Sequence, residues 1–211
     1  MQSQKRLSRD FDFLVVARKH YHGDELRKIE FAHVMATYAH REQERRHSGD
    51  EYIRHPERVA LTLVGFRLTY DYVVLGLLHD IFEDSRYLSI ENVGDIRTVL
   101  GPDILSDLHT LSKRYANPVH APLGHAESNY IRTLRRASRR AQIVKMFDRL
   151  DNLSDINAEH IGAAKRERTK QTTREYFVPL AIVLLGNMKR TDEYRYVVEF
   201  LLEEFRRLSR A

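Results

Sequence analysis

Apolar residues recur at helical spacing along most of the chain, and no segment sustains the two-residue alternation of a half-buried strand. Residues Asp24 to His47 read as a long helix with Leu26, Ile29, Val34, Met35 and Tyr38 as its stripe, Asp24 as N-cap and Gly49 after its end. Pro56 suits the first turn of the next helix. Tyr70 to Asp84 is the most apolar segment, and Ser89 to Leu100 and Pro102 to Ser112 form a pair separated by Gly101. Tyr115 to Gly124, with Pro118 and Pro122, reads as a loop. Ala126 to Asp155 is helical with a break near Ser138, and Thr169 to Leu185 is a further helix. Thr191 to Arg207 closes the chain, with Thr191 as cap, Asp192 and Glu193 in the first turn and Arg206 and Arg207 in the last, the charge order a helix dipole favours. The predicted fold class is all-α, a helical bundle in one domain spanning 1–211. It has a core at about 24–156, an N-terminal helical extension at 1–23 and C-terminal helices at 165–210.

Composition narrows the function classes. With 42% hydrophobic and 31% charged residues the chain lies outside the disordered range. Its longest apolar runs, such as Val73 to Leu78 and Val178 to Gly186, are too short to span a bilayer. The stretch Met1 to Asp10 is polar and lacks the apolar core of a signal peptide. Cysteine is absent, which excludes disulfides, thiolate metal sites and cysteine nucleophiles. These features together predict a cytoplasmic protein with no membrane association. A formal charge of +5 attracts polyanions, whether nucleic acid, membrane or a highly phosphorylated small molecule, and the sign does not choose among them. No basic–aromatic alternation of the kind that binds single strands is present.

The candidate chemistry begins in the apolar segment. Val73 to Leu78 is apolar on every face, and His79, Asp80, Glu83 and Asp84 then follow within two turns. Buried carboxylates without partners are costly, so a metal ion is the simplest counter-charge. His55 lies at a loop-to-helix junction, in Tyr52-Ile-Arg-His-Pro56. Asp148 lies in a core helix, Ile143 to Leu153, where it shares a face with Asn152 while Asp151 falls on another side. On residue type alone, His55 could equally be a cap, and Asp148 the partner of Lys145 or Arg149. Taken together, two imidazoles and two carboxylates suit a first-row divalent ion such as Mn, Fe or Zn better than Ca or Mg. Such an ion lowers the pKa of water and offsets phosphoryl charge.

The order His … His-Asp … Asp is the pattern of the HD superfamily, and three blocks resemble the hydrolase domain of the RelA/SpoT homologues. They are Ala39-His-Arg-Glu-Gln-Glu-Arg-Arg-His-Ser-Gly-Asp-Glu-Tyr-Ile-Arg-His-Pro56, Leu77-Leu-His-Asp-Ile-Phe-Glu-Asp84 and Lys145-Met-Phe-Asp-Arg-Leu-Asp-Asn152. The resemblance covers about 25–190 and includes Glu175 to Ala181. It implies an HD-domain helical bundle with a metal site in a central cleft. His55, His79, Asp80 and Asp148 would ligate the ion, Mn being usual. Glu83 and Asp84 would orient and activate water. Arg46 would stack on the base, Asn152 lie near the ribose, Lys113 meet phosphate and Tyr176 line the pocket. The chain departs from long members in a longer His40–Arg46 stretch, in His47, in Asp50-Glu51 and in Asp155.

The implied activity is metal-dependent removal of the 3′-pyrophosphate of (p)ppGpp-like alarmones by a stand-alone small alarmone hydrolase. Lys113, Arg114, Arg139, Arg140 and Lys145 are further cations that could meet phosphates, although Arg135 to Arg140 also reads as a solvated basic face. Tyr52 and Phe82 read as packing residues. The expected partner is a small-molecule nucleotide. Pairing with an alarmone synthetase and a homo-oligomer built on the last helix stay open. Two other readings are another HD-type nucleotide phosphohydrolase, such as an NADPH phosphatase or nucleotidase, and a basic nucleic-acid-binding protein on an inactive HD fold.

Overall fold

A computed structural model describes residues 12–45, 49–84, 94–113, 126–156 and 161–210. Among them the only regular structure is helical, apart from one isolated bridge between Glu44 and Glu51. In chain order the helices are α1 (Phe13–Ala17), α2 (Gly23–Ala39), α3 (Arg54–Gly65), α4 (Tyr70–Leu78), α5 (Ile81–Asp84), α6 (Gly94–Leu100), α7 (Pro102–Leu111), α8 (Ala126–Arg136) and α9 (Arg139–Asp155). They are followed by α10 (Ala163–Thr172), a π turn (Thr173–Phe177), α11 (Val178–Asn187) and α12 (Arg195–Arg210). No helix among the described residues is long and apolar enough to cross a membrane.

Helix α4 is the centre of the bundle. It packs against α2, α3, α7 and α9, so every residue from Tyr72 to Leu78 is buried. This is why its apolar pattern has no polar face. Gly76 allows α3 to approach closely. A Cβ there would lie 2.6 Å from Leu63 Cδ1 and 3.6 Å from both Ala60 Cα and Val59 Cγ1. Gly76→Val should therefore overpack the α3–α4 contact and lower stability by about 1–3 kcal/mol, read as a reduced urea midpoint. An unchanged midpoint would mean that the two helices can separate freely.

Several element boundaries differ from the sequence expectation, each for a local reason. Helix α2 stops at Ala39 rather than His47, because no apolar residue lies between His40 and Glu51 to extend the buried stripe. Glu42 turns left-handed (φ 62°), and a small hairpin follows. It is tied by Tyr52 N–H to Gln43 O (2.9 Å) and Arg45 N–H to Asp50 O (2.8 Å), with Gly49 at φ 70°. Asp24 lies in the first turn of α2, and His22 precedes it as the cap residue.

The apolar segment from Tyr70 is interrupted at His79-Asp80. The His79 imidazole donates from Nδ1 to the Gly76 carbonyl (2.7 Å), the acceptor that a continuous helix offers to the N–H of residue 80. The break at Ser138 is present as expected, with Ser138 Oγ accepting from Ala141 N–H (3.0 Å). Ahead of Pro179, which has no N–H to give, the chain widens into the π turn, making α10 to α11 one rod from Ala163. Helix α12 begins at Arg195, and Asp192 rather than Thr191 makes the side-chain bond before it, accepting from Tyr194 N–H (3.1 Å). The expected loop at 115–124 and most of the expected start at Ser89 lie outside the described residues.

Candidate metal centre

Three elements deliver the cluster. His55 sits in the first turn of α3, His79 and Asp80 in the turn between α4 and α5, and Asp148 midway along α9. All four are buried. His55 Nε2 lies 3.1 Å from Asp148 Oδ1 and 3.5 Å from Asp80 Oδ2. His79 Nε2 lies 3.2 Å from Asp80 Oδ2 and 3.6 Å from Asp148 Oδ1. Ligand atoms of His55, His79 and Asp80 fall within 4.8 Å of one another. The four residues singled out from sequence thus converge on one point.

The donor set fits a cation. Each imidazole spends its Nδ1–H elsewhere: His79 on Gly76 O (2.7 Å), His55 on Asp151 Oδ2 (2.6 Å). In the neutral ring, Nε2 then carries a lone pair, and both lone pairs face carboxylate oxygens. His79 Nε2 is buried and makes no hydrogen bond. Lone pairs facing carboxylates repel unless positive charge stands between them. Asp80, Asp148 and Glu83 crowd the same pocket, where Lys145 pairs with Asp148 Oδ2 at 2.8 Å and Lys113 adds a smaller attraction on Glu83. A divalent ion would add positive charge where these carboxylates and the imidazole nitrogens meet.

The protonation tendencies carry the same message. Burial disfavours a charged imidazole at His79, but the charges of Asp80 and Asp148 outweigh it and push the group up to about 10. His55 is raised by Asp148 and Asp151, again against burial. Burial opposes ionisation of Asp80, yet the neighbouring His79 charge holds its carboxyl well below the usual range. Asp148 is held low against burial chiefly by Lys145 and the two histidines.

Glu83 stands apart in character. It is half-buried, and desolvation pushes its carboxyl upward while its Oε1 accepts the backbone N–H of Lys113 (3.0 Å). A carboxylate of raised basicity beside a cation site is equipped to take a proton from water. Asp84 closes α5 one residue later, and its side chain lies outside the described residues.

The remaining sequence candidates fall in different places. Arg46 and Arg114 lie outside the described residues. Asn152 donates from Nδ2 to Asp148 Oδ1 (2.7 Å) and to Asp148 O (3.0 Å), steadying that carboxylate. Lys113 reaches the Glu83 neighbourhood through its backbone, with Nζ 5.5 Å from the Tyr130 ring centre. Tyr176 is half-buried in the π turn, packed on the hydrophobic core, and is not one of the residues that converge on the cluster. Arg139 and Arg140, read as cations for phosphate, are engaged elsewhere. Arg139 pairs with Asp192 (2.6 Å), and Arg140 bridges Asp71 and Asp107 (2.6 Å each).

Other functional neighbours were not evident from the motif. Tyr52, expected only to pack, donates its hydroxyl to Asp80 Oδ2 (2.9 Å). Asp151 faces the site after all, together with Asp148, Asn152 and Asp155, because spacings of three, four and seven place them on one side of α9. Arg58, one turn beyond His55, meets Asp151. The same three- and four-residue spacing was the available signal.

Comparison with known proteins gives the family of the chain. The model of the HD domain matches residues 32–184. The chain is 32% identical over 152 residues to a probable GTP diphosphokinase, RSH3, of rice (Oryza sativa subsp. japonica), covering 69% of this chain and 21% of that protein. It is 30% identical over 141 residues to a probable guanosine-3′,5′-bis(diphosphate) 3′-pyrophosphohydrolase of Synechocystis, covering 66% of this chain and 18% of that one. The chain therefore spans about a fifth of the length of these curated relatives. In fold it is similar to the solved structure of a metazoan ortholog of SpoT that hydrolyzes ppGpp, with a TM-score of 0.61 at 24% identity over 85% of this chain and 94% of that one. With the motif blocks, the buried His/Asp cluster and a family match over most of its length, the chain belongs to the HD-domain family.

Proposed function

We propose that the chain is a metal-dependent phosphohydrolase that removes the 3′-pyrophosphate of (p)ppGpp-like alarmones. The observation that carries the reading is the convergence of two buried imidazole Nε2 atoms and two buried carboxylates. His55, His79, Asp80 and Asp148 would hold the ion, with Mn2+ as the proposed species. When bound it supplies Lewis acidity and charge for a phosphoryl group. Similarity to proteins named for (p)ppGpp chemistry supports the choice of substrate.

The chain's own residues do the rest. Glu83, with Asp84, orients a water and takes its proton as the oxygen attacks the 3′-linked phosphorus. The bond from phosphorus to the ribose 3′ oxygen breaks, that oxygen is protonated, and pyrophosphate leaves GDP or GTP behind. Tyr52 and Asn152 hold Asp80 and Asp148 in place. Lys113 is the proposed phosphate contact, Arg46 the base contact, and Asn152 and Tyr176 the ribose and pocket contacts. A chain without cysteine suits the cytoplasm, and an alarmone synthetase is the functional counterpart such an enzyme would oppose.

The test is pyrophosphate release from ppGpp. Release should require Mn2+, stop on chelation and resume on adding the ion back. Orthophosphate from NADPH with no pyrophosphate from ppGpp would instead assign another HD phosphohydrolase. Salt-sensitive DNA binding with no turnover on either substrate would assign a binding role.

A further inference from the structure

The imidazole of His55 is held from behind by charges that the HD motif does not contain. Its Nδ1–H meets Asp151 Oδ2 at 2.6 Å. Arg58 forks onto the same carboxylate, Nε to Oδ1 and Nη2 to Oδ2, both at 2.8 Å. Arg58 Nη2 also reaches Asp155 Oδ2 at 2.8 Å. From the 43–52 hairpin, Arg45 pairs with Asp155 and lies 3.8 Å from Asp151. The four charges alternate in sign, and they join α3, α9 and the hairpin directly behind one candidate ligand.

We propose that Asp151, clamped by Arg58, is a positioning residue that orients His55 and fixes its tautomer for metal binding. The inference rests on reading the cluster as a cation site. An imidazole lacking the Nδ1 proton would set a lone pair against the Asp151 carboxylate at 2.6 Å, so the proton stays on Nδ1, and Nε2, which faces Asp80 and Asp148, is the atom left to hold an ion. A full negative charge behind the ring also makes Nε2 a stronger donor. The Arg58 fork keeps that charge in place. Among the described residues the second ligand differs, since His79 Nδ1 is backed by the neutral carbonyl of Gly76. The two imidazoles are thus backed by different chemistry, and replacing Asp151 should affect His55 alone.

Mn2+ affinity measured by titration of the folded protein, with thermal unfolding alongside, tests the proposal. Asp151→Asn is close in shape and should bind Mn2+ about 10- to 100-fold more weakly, with turnover recovering as Mn2+ is raised to saturation. Arg58→Gln leaves the carboxylate in place and should weaken binding less. The double variant should bind no worse than Asp151→Asn, because Arg58 acts through Asp151. If Asp151→Asn does not fold, the affinity of Arg58→Gln decides, and a wild-type value there counts against the proposal. Wild-type Mn2+ affinity in Asp151→Asn with only a lower melting temperature overturns the proposal and leaves a structural ion pair. The underlying cation site is checked separately with His79→Ala, which should lose Mn2+ binding. If the wild-type protein binds no Mn2+, both readings fall together.

Discussion

Asp80→Ala should reduce pyrophosphate release from ppGpp by about a thousandfold or more at saturating Mn2+. Asp80 Oδ2 is a shared atom of the centre, approached by the Tyr52 hydroxyl (2.9 Å), His79 Nε2 (3.2 Å) and His55 Nε2 (3.5 Å). A metal ion contributes several kcal/mol of transition-state stabilisation, and each 1.36 kcal/mol is tenfold in rate. The fold should survive the change, because it removes one of several carboxylates that crowd one buried pocket. Mn2+ at about 100 times its dissociation constant should stabilise the wild type by about 2.7 kcal/mol, and this increment should be missing from the variant. Single-turnover kinetics and melting curves with and without Mn2+ check both halves. A variant that keeps wild-type turnover would remove Asp80 from the mechanism.

Arg140→Ala should cost about 3–5 kcal/mol of stability while leaving the KM for ppGpp unchanged. The guanidinium bridges Asp107, which is buried, and Asp71 in the first turn of α4. Without it, one buried carboxylate loses its charge partner and the contacts of α9 with α4 and α7 lose their polar tie. Arg140→Lys should recover only part of the loss, since an ammonium cannot fork onto two acids. Urea denaturation and steady-state kinetics decide the matter. A stable Arg140→Ala protein with a KM raised tenfold would return Arg140 to the phosphate-binding role that its charge alone suggests.

The pair Arg139 and Arg140 shows why charge in a sequence is weak evidence of a ligand. Both stand in a run that looks basic on paper, yet each is answered by an acid distant in sequence, Asp192 for one and Asp71 with Asp107 for the other. His79, Asp80 and Asp148 stood out because their surroundings are apolar, whereas His55, between Arg54 and Pro56, was marked by the resemblance to the HD pattern. A histidine or aspartate flanked by Leu77, Leu78, Met146 and Phe147 must be buried, and burial demands a partner. Asp151 and Tyr52 were missed on that same criterion. One is less deeply buried and the other is aromatic, so neither raised the question of what it pairs with.

Helix α2 shows the limit on the backbone side. Its polar continuation through His40 to Arg45 has good helix formers, and local propensity extends it, but a helix in a bundle lasts only while it has an apolar face to bury. From the sequence alone came the all-α class, the buried central segment and the break at Ser138, all of which depend on local periodicity written in neighbouring residues. The set of four residues at the candidate metal centre came from the resemblance to the HD pattern. The tertiary structure alone decided which carboxylate backs which imidazole, that Tyr52 bonds to Asp80, and that two basic residues of the 135–140 run are structural. Those outcomes depend on distances between α3, α4 and α9, and the packing of side chains such as Leu63 against Gly76 sets those distances, not the order of residues along any one helix.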